Sequence, residues 1–227
     1  MPKGRLFIVG TPIGHLEDIT LRALKVLKEV EAIACEDTRQ TIKLLNAYGL
    51  KKKLISYFHP KENQKIPEIL ALLKQGKDVA LVSDAGMPGI SDPGFPLIRE
   101  AISQQIEVIP IPGPSAVTTA LAASGLPTHR FVFLGFPPVK KGSLKNLLLE
   151  LKEEKGTMIF FLPARRLKNF LELAAEVFGE RRAVVARELT KLHEEFIRGT
   201  LSGLPGQLNE EKLRGECTIL IEGKLKQ

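Results

Sequence analysis

The chain is poor in the residues that would simplify its reading. Of its 227 residues only two are cysteine, none is tryptophan, and aromatics make up 6%. Cys35 and Cys217 stand far apart, each inside an apolar run, which suits reduced, buried thiols better than a secreted disulfide framework. No CxxC or Cys/His spacing suggests zinc, and none of the four histidines (His15, His59, His129, His193) stands at metal-ligand spacing from a carboxylate or cysteine. Surface positions are expected for them, His15 excepted because it falls in the first loop. Nothing approaches the 18 or so uninterrupted apolar residues of a membrane span, and the apolar run 5–9 is too short for a signal peptide. A cytoplasmic protein without membrane partners is expected. Also missing are GxGxxG after a strand, GxxxxGK[ST] and GxSxG, which argues against a standard Rossmann dinucleotide site, a P-loop NTPase and an α/β-hydrolase.

What is present is ordinary globular composition, 44% hydrophobic and 26% charged, with a net charge of +7. Such an excess favours a polyanionic partner without requiring one, since lysine and arginine near phosphates release counterions. Lys51-Lys52-Lys53, Lys140-Lys141, Arg165-Arg166 and Arg181-Arg182 fall near loops or helix ends, where solvated edges explain any single pair.

Apolar runs at 6–9, 32–34, 54–58, 78–82 and 107–110 read as strands, and the spacing predicts helices over 21–30, 38–48, 67–74 and 95–103. Alternation of this kind implies βαβ units and a largely parallel sheet, with strands apolar throughout because both faces are covered. The second half reads as strands at 131–135, 157–162, 183–187, 195–200 and 217–222, with helices at 143–154, 167–178 and 206–213; mixed or antiparallel pairing is expected. A helix over 115–124 bridges the halves. The boundary falls between Pro112 and Arg130, giving domains 1–115 and 116–227.

In an open parallel sheet ligands bind outside the carboxyl ends of the strands. Three loops fall there and share a composition: GTPIG (10–14), SDAGMPGISDPG (83–94) and IPGPSA (111–116). Glycine permits close backbone approach and proline fixes the turns, so together they form a pre-ordered rim. Asp84 and Asp92 are either Asx-turn formers or partners for a ribose or the amino end of a cofactor. Glu36-Asp37-Thr38-Arg39 follows the second strand; helix capping explains Asp37 or Thr38 but not Glu36 and Arg39. In ARELTKLHEE (186–195), Arg187, Glu188 and Lys191 either decorate an exposed hairpin or helix, or face the cleft between the domains.

The strings LFIVGTPIGHLEDIT, EDTR, SDAGMPGISDPG, IPGPSA and ARELTK, in this order, resemble the ribosomal RNA small subunit methyltransferase I group within the tetrapyrrole methylase-like class. The resemblance spans nearly the whole chain. It implies a two-domain α/β tetrapyrrole methylase-like fold, a parallel-sheet N-terminal and a mixed-sheet C-terminal domain, with the active site in the cleft between them. It also implies a homodimer, S-adenosyl-L-methionine as cofactor, and methyl transfer to the ribose 2′-oxygen of a cytidine in small-subunit (16S) ribosomal RNA, free or in the assembled subunit. By position, the cofactor contacts implied are Pro12, Ile13, Asp84, Ala85, Gly86, Ile90, Ser115 and Ala116, with Leu162 and Leu189 from the second domain. Glu36, Asp37, Arg39, Arg187, Glu188 and Lys191 match cleft-facing polar positions; Glu36, Arg187 and Arg166 are the substrate-binding candidates. The chain departs from the family pattern at His15 (GNL there), at Met87 (SDAGTP there), and at Phe161–Arg166, where a motif like YES-x-HR loses its acid and histidine and keeps only Arg166.

A ribose hydroxyl attacks only once its proton is removed or strongly hydrogen-bonded. Glu188 or Asp37 is the expected acceptor, with Lys191 or Arg39 holding the adjacent phosphate. Two rivals remain: methylation of another acceptor such as a tetrapyrrole or modified histidine, and a non-enzymatic RNA-binding module. The second predicts interleaved basic and aromatic residues, against the low aromatic content.

Overall fold

A computed structural model describes residues 2–209 and 215–224 of the chain. It divides into two compact units, Met1–Ser115 and Ala116–Gln227.

In the first unit, strands β1 (Leu6–Val9), β2 (Ala32–Cys35), β3 (Lys53–Ser56), β4 (Val79–Val82) and β5 (Val108–Ile111) form one parallel sheet in the order β3-β2-β4-β1-β5. Successive strand side chains point to opposite faces, and both faces are covered. Leu6 and Ile8 join the core under α3 (Glu62–Lys74) and α4 (Phe95–Ser103). Phe7 and Val9 join the opposite core with α1 (Leu21–Glu29) and α2 (Thr38–Ala47). This double burial is why β1, β2 and β4 carry no polar alternation. Helices α1 and α2 start at side-chain caps. The Thr20 side chain accepts from Ala23 N at α1, and Asp37 accepts from Arg39 N at α2.

In the second unit, β6 (Phe131–Phe133), β7 (Thr157–Pro163), β8 (Arg182–Arg187), β9 (Glu195–Thr200) and β10 (Glu216–Ile221) form a sheet ordered β6-β7-β10-β8-β9. Only the β6–β7 pair is parallel; the other three pairs are antiparallel, so the sheet is mixed as expected. Helices α6 (Lys141–Glu150) and α7 (Leu167–Phe178) cover one face, with Phe160 against Phe170 at 5.1 Å between ring centroids. Helix α5 (Ala116–Ser124) packs on β10 and β8. The fold is therefore the α/β arrangement of a parallel and a mixed sheet that the strand pattern implied.

Some boundaries differ. Strand β3 ends at Ser56 rather than 58, and α3 begins at Glu62 instead of 67. Pro67 lies within α3, whereas proline at a first helical position was the natural sequence reading. The helix expected over 206–213 is a short 3-10 turn at Leu204–Gln207, and residues 210–213 lie outside the described ones. Among the described residues no helix is long and apolar enough to cross a membrane.

Phe160 is fully buried, so truncation leaves a ring-sized cavity. Phe160→Ala is expected to lower stability by about 3–5 kcal/mol in urea unfolding. A loss below about 1 kcal/mol would mean that this core does not hold the second sheet to its helices.

Candidate functional site

The sheet order of the first unit sets β4, β1 and β5 side by side, so their three Gly/Pro loops leave one edge together. The loops are bonded to one another. Thr11 N donates to Gly86 O at 2.9 Å, and Gly86 N donates back to Thr11 O at 3.0 Å. The buried Thr11 hydroxyl donates to Ser83 O at 3.0 Å. Gly10 and Gly113 lie closer than any side chain permits: a Cβ at Gly10 would come within 2.7 Å of Gly113 Cα. Gly86 holds φ +87, a left-handed conformation that suits glycine. The bridge uses both backbone groups of Gly86, so what Gly86 offers a ligand is the missing Cβ. Thr11, Ser83 and Gly113 were not singled out by sequence reasoning; their signal lay inside the loop strings.

Around this bridge, Pro12, Ile13 and Ser115 are half-buried, while Asp84, Ala85 and Ile90 are exposed at the rim. Ile90 is 51% exposed, unusual for an isoleucine in a loop with so many turns. Met87 points the other way. Its side chain packs on the core under α3 and α4, with Sδ beside Gly10. The departure at Met87 is thus a change in packing under the loop. Ala116 begins the second unit and opens α5.

The end of β2 sits beside that of β4, with Cys35 paired to Val82. Here Asp37 N donates to Asp84 Oδ1 at 3.0 Å. The Asp37 carboxylate is gripped by Arg39, whose Nη2 lies 2.6 Å from Oδ2. Hydrogen bonds from that guanidinium and from Arg39 N, more than simple charge attraction, hold Asp37 down at about 2. Its neighbour behaves oppositely. Burial, followed by repulsion from Asp92 and Asp84, pushes Glu36 up to about 6. Partial desolvation also raises Asp84, although the residue is exposed overall. One strand end thus carries a strong acid locked in an ion pair and a weak acid poised near neutrality.

In the second unit, β8 ends at Arg187, which is 7% exposed with Nη1 3.1 Å from Glu195 Oε2 on β9. Glu188 follows with φ +45, and its Oε1 accepts from Glu216 N at 3.1 Å and from Lys191 Nζ at 3.2 Å. Burial would raise its pKa, but those bonds and the Lys191 charge outweigh it, and the net shift is downward. Gly215 makes room for this carboxylate, since a Cβ there would overlap Glu188 Oε1. Leu189 is buried, and Leu162 lies in the sheet opposite Cys217 with its side chain in the core. Arg166 donates to the carbonyls of Pro137 (3.1 Å) and Pro138, bracing the segment after β6. His15 is a cap: its Nδ1 accepts from Glu17 N at 3.3 Å.

Comparisons with known proteins give the chain a family and a fold. Residues 5–205 match the family described as tetrapyrrole (corrin/porphyrin) methylases. The ribosomal RNA small subunit methyltransferase I of Thermotoga maritima is 50% identical over 97% of this chain and 99% of its own length. That of Bacillus subtilis is 46% identical over 97% of this chain and 75% of its own. In fold, the chain is similar to uroporphyrin-III-C-methyltransferase from Thermus thermophilus (TM-score 0.69, 22% identity, 97% of this chain and 94% of that one). It is also similar to the methyltransferase CobJ (TM-score 0.72, 19% identity, with the same coverage).

Gly113→Ala is expected to force the first and third loops apart and to cost about 1–3 kcal/mol through overpacking. Thermal or urea unfolding measures this. Unchanged stability would show that the two loops can separate without consequence.

Proposed function

The chain belongs to the tetrapyrrole (corrin/porphyrin) methylase family of methyltransferases, and from that premise we propose that it methylates the ribose 2′-oxygen of a cytidine in 16S small-subunit ribosomal RNA. One observation carries the reading. Relatives 46–50% identical over 97% of the chain are named ribosomal RNA small subunit methyltransferase I. The net charge of +7 suits a phosphodiester chain as acceptor.

S-adenosyl-L-methionine is the cofactor this reading requires, and the residues present suit it. The cradle offers an exposed carboxylate at Asp84 for hydroxyl or ammonium groups, and apolar surface at Ile13 and Ile90 for a flat base. The carboxylates of Glu36, Asp84 and Asp92 complement a cationic ligand. Pro12, Ala85, Gly86, Ser115 and Ala116 would complete the rim. Leu162 and Leu189 are buried, so in the second unit they would contribute through backbone or by shaping the surface above them. When bound, the cofactor supplies the methyl group on a sulfonium.

Positioning and proton removal fall to the chain's own side chains. Asp37 and Glu188, the acceptors expected from sequence, are each occupied by a basic partner and are the weaker bases. Glu36 is the better one, because its raised pKa matches a group that must hold a proton briefly near neutral pH. We assign it the role of accepting the 2′-hydroxyl proton. Arg39, 85% exposed and anchored by Asp37, presents its guanidinium for a phosphate. Lys191, Arg187 and Arg166 make their own contacts in the second unit and would act on substrate as secondary cations. Homodimerisation belongs to the same proposal, and sedimentation equilibrium of the pure protein tests it.

The experiment is methyl transfer to small ribosomal subunits and to naked 16S RNA. The single-turnover rate is expected to rise about tenfold per pH unit below about 6 and to level off above it. Glu36→Gln should lower that rate about 10²–10⁴-fold and abolish the pH limb. If the rate and the pH profile survive Glu36→Gln intact, Glu36 has no part in the mechanism.

The same substitution carries a stability signature. In the folded chain Glu36 titrates at about 6, against 4.5 for an ordinary glutamate. Between those values the folded state holds the extra proton, so Glu36's contribution to stability is full below 4.5 and is lost as pH rises through about 6. Glu36→Gln is therefore expected to raise the melting temperature at about pH 7.5 and to leave it unchanged at about pH 4. A lower melting temperature at the higher pH would contradict the strained carboxylate.

A further inference from the structure

The loop after β3 carries a buried acid that the proposed chemistry does not use. Glu62, the first residue of α3, is 5% exposed. Its Oε1 lies 3.3 Å from Nε2 of His59, whose side chain is 77% exposed. Glu62 Oε2 makes no hydrogen bond of good geometry, and the Tyr57 hydroxyl, 1% exposed, is buried close to the same carboxylate, where burial and the Glu62 charge push its pKa well up. As a stability device this is a poor arrangement. Desolvating a carboxylate is costly, and a pair with an imidazole standing in water returns little of that cost. An exposed acid would serve the helix start as well. What the buried carboxylate does accomplish is to fix the ring through Nε2, which leaves Nδ1 as a second donor whenever the ring carries both protons. Among the described residues His59 has no other charged partner.

The location supplies the rest. Tyr57 N donates to Cys35 O at 2.8 Å, so the loop leaves the sheet directly beside Glu36 and Asp37. Phe58, His59, Pro60 and Lys61 are all exposed there, and Arg39 stands on the neighbouring loop. Imidazole, ammonium and guanidinium are thus carried on two adjacent strand ends, one of which bears the proposed base.

We infer that His59, oriented by the buried Glu62, contacts a backbone phosphate of the RNA substrate beside the target nucleotide, with Glu62 as its positioning residue. The inference rests on the RNA methylation reading. A charge-assisted bond to phosphate holds the strand and not the reacting atoms, so its loss is expected in KM more than in kcat.

The test uses the full chain and small ribosomal subunits as substrate. His59→Ala, at an exposed position, is expected to raise KM for the subunit about tenfold while kcat stays within about twofold. Calorimetric affinity for S-adenosyl-L-methionine is expected to be unchanged. Glu62→Gln should shift KM in the same direction by a smaller factor. In wild-type protein with ¹⁵N-labelled histidine, the His59 ring signals should move on titration with 16S RNA fragments. If His59→Ala leaves KM unchanged, or its ring signals stay fixed while the RNA binds, the phosphate contact is wrong though the methyltransferase reading stands. Wild-type protein that neither binds nor methylates the RNA overturns that reading, and this inference with it.

Discussion

Two glycines at van der Waals contact set the geometry from which the rest of the first unit follows. Because neither Gly10 nor Gly113 carries a Cβ, the loops leaving β1 and β5 can touch backbone to backbone. The Thr11–Gly86 bridge then ties the loop after β4 to the same point. Three segments distant in sequence are thereby tied into one rim before any ligand arrives. A pre-ordered rim has little conformational entropy left to lose on binding, which fits a small, charged cofactor held among loops rather than in a deep cavity.

The electrostatics of the neighbouring strand end depend on that rim. The bond from Asp37 N to Asp84 fixes the approach of two acidic loops, and once they are close their carboxylates cannot all ionise freely. Arg39 resolves the conflict chiefly for Asp37, which it bonds directly, and eases Asp84 by charge alone. The remaining repulsion, added to burial, falls on Glu36. Adjacent acids in the sequence thus separate into an anchor and a weak acid because one has a guanidinium within reach while the other, bonded by the Asp84 backbone, faces burial and two carboxylates. The proposed base sits in the same crowding that raises its pKa, so the stability and the function read into Glu36 pull against each other.

The fold and the rim were legible in the sequence to different depths. Apolar strands without alternation announced a sheet covered on both faces, and Leu6/Ile8 against Phe7/Val9 is that pattern realised. The three Gly/Pro strings marked the ligand edge because glycine and proline act locally, wherever they stand. Ionisation was not legible. Nothing in EDTR tells which acid Arg39 will take, since the answer turns on side-chain reach across one helical turn. The His59–Glu62 pair was missed for a related reason: its i,i+3 spacing signals contact only once α3 is known to begin at Glu62, and Pro67 drew the expected start five residues later.

The second unit shows how a departure from a family's pattern can be understood from packing. Where the resemblance leads one to expect an acid and a histidine, this chain has Phe161–Arg166, and each observed contact of that segment is internal. Phe161 lies between Phe133 and Phe136 at 4.9 and 5.5 Å, Ala164 N donates to Gly215 O at 2.9 Å, and Arg166 braces the Pro137–Pro138 carbonyls. The Ala164–Gly215 bond also fixes the turn whose missing Cβ admits the Glu188 carboxylate. An aromatic cluster and two carbonyl clamps here hold the end of β7, a task open to many side-chain combinations. Recognition of a polyanion instead needs donors that are exposed yet oriented, and in the first unit Arg39 anchored on Asp37 and His59 anchored on Glu62 meet both conditions.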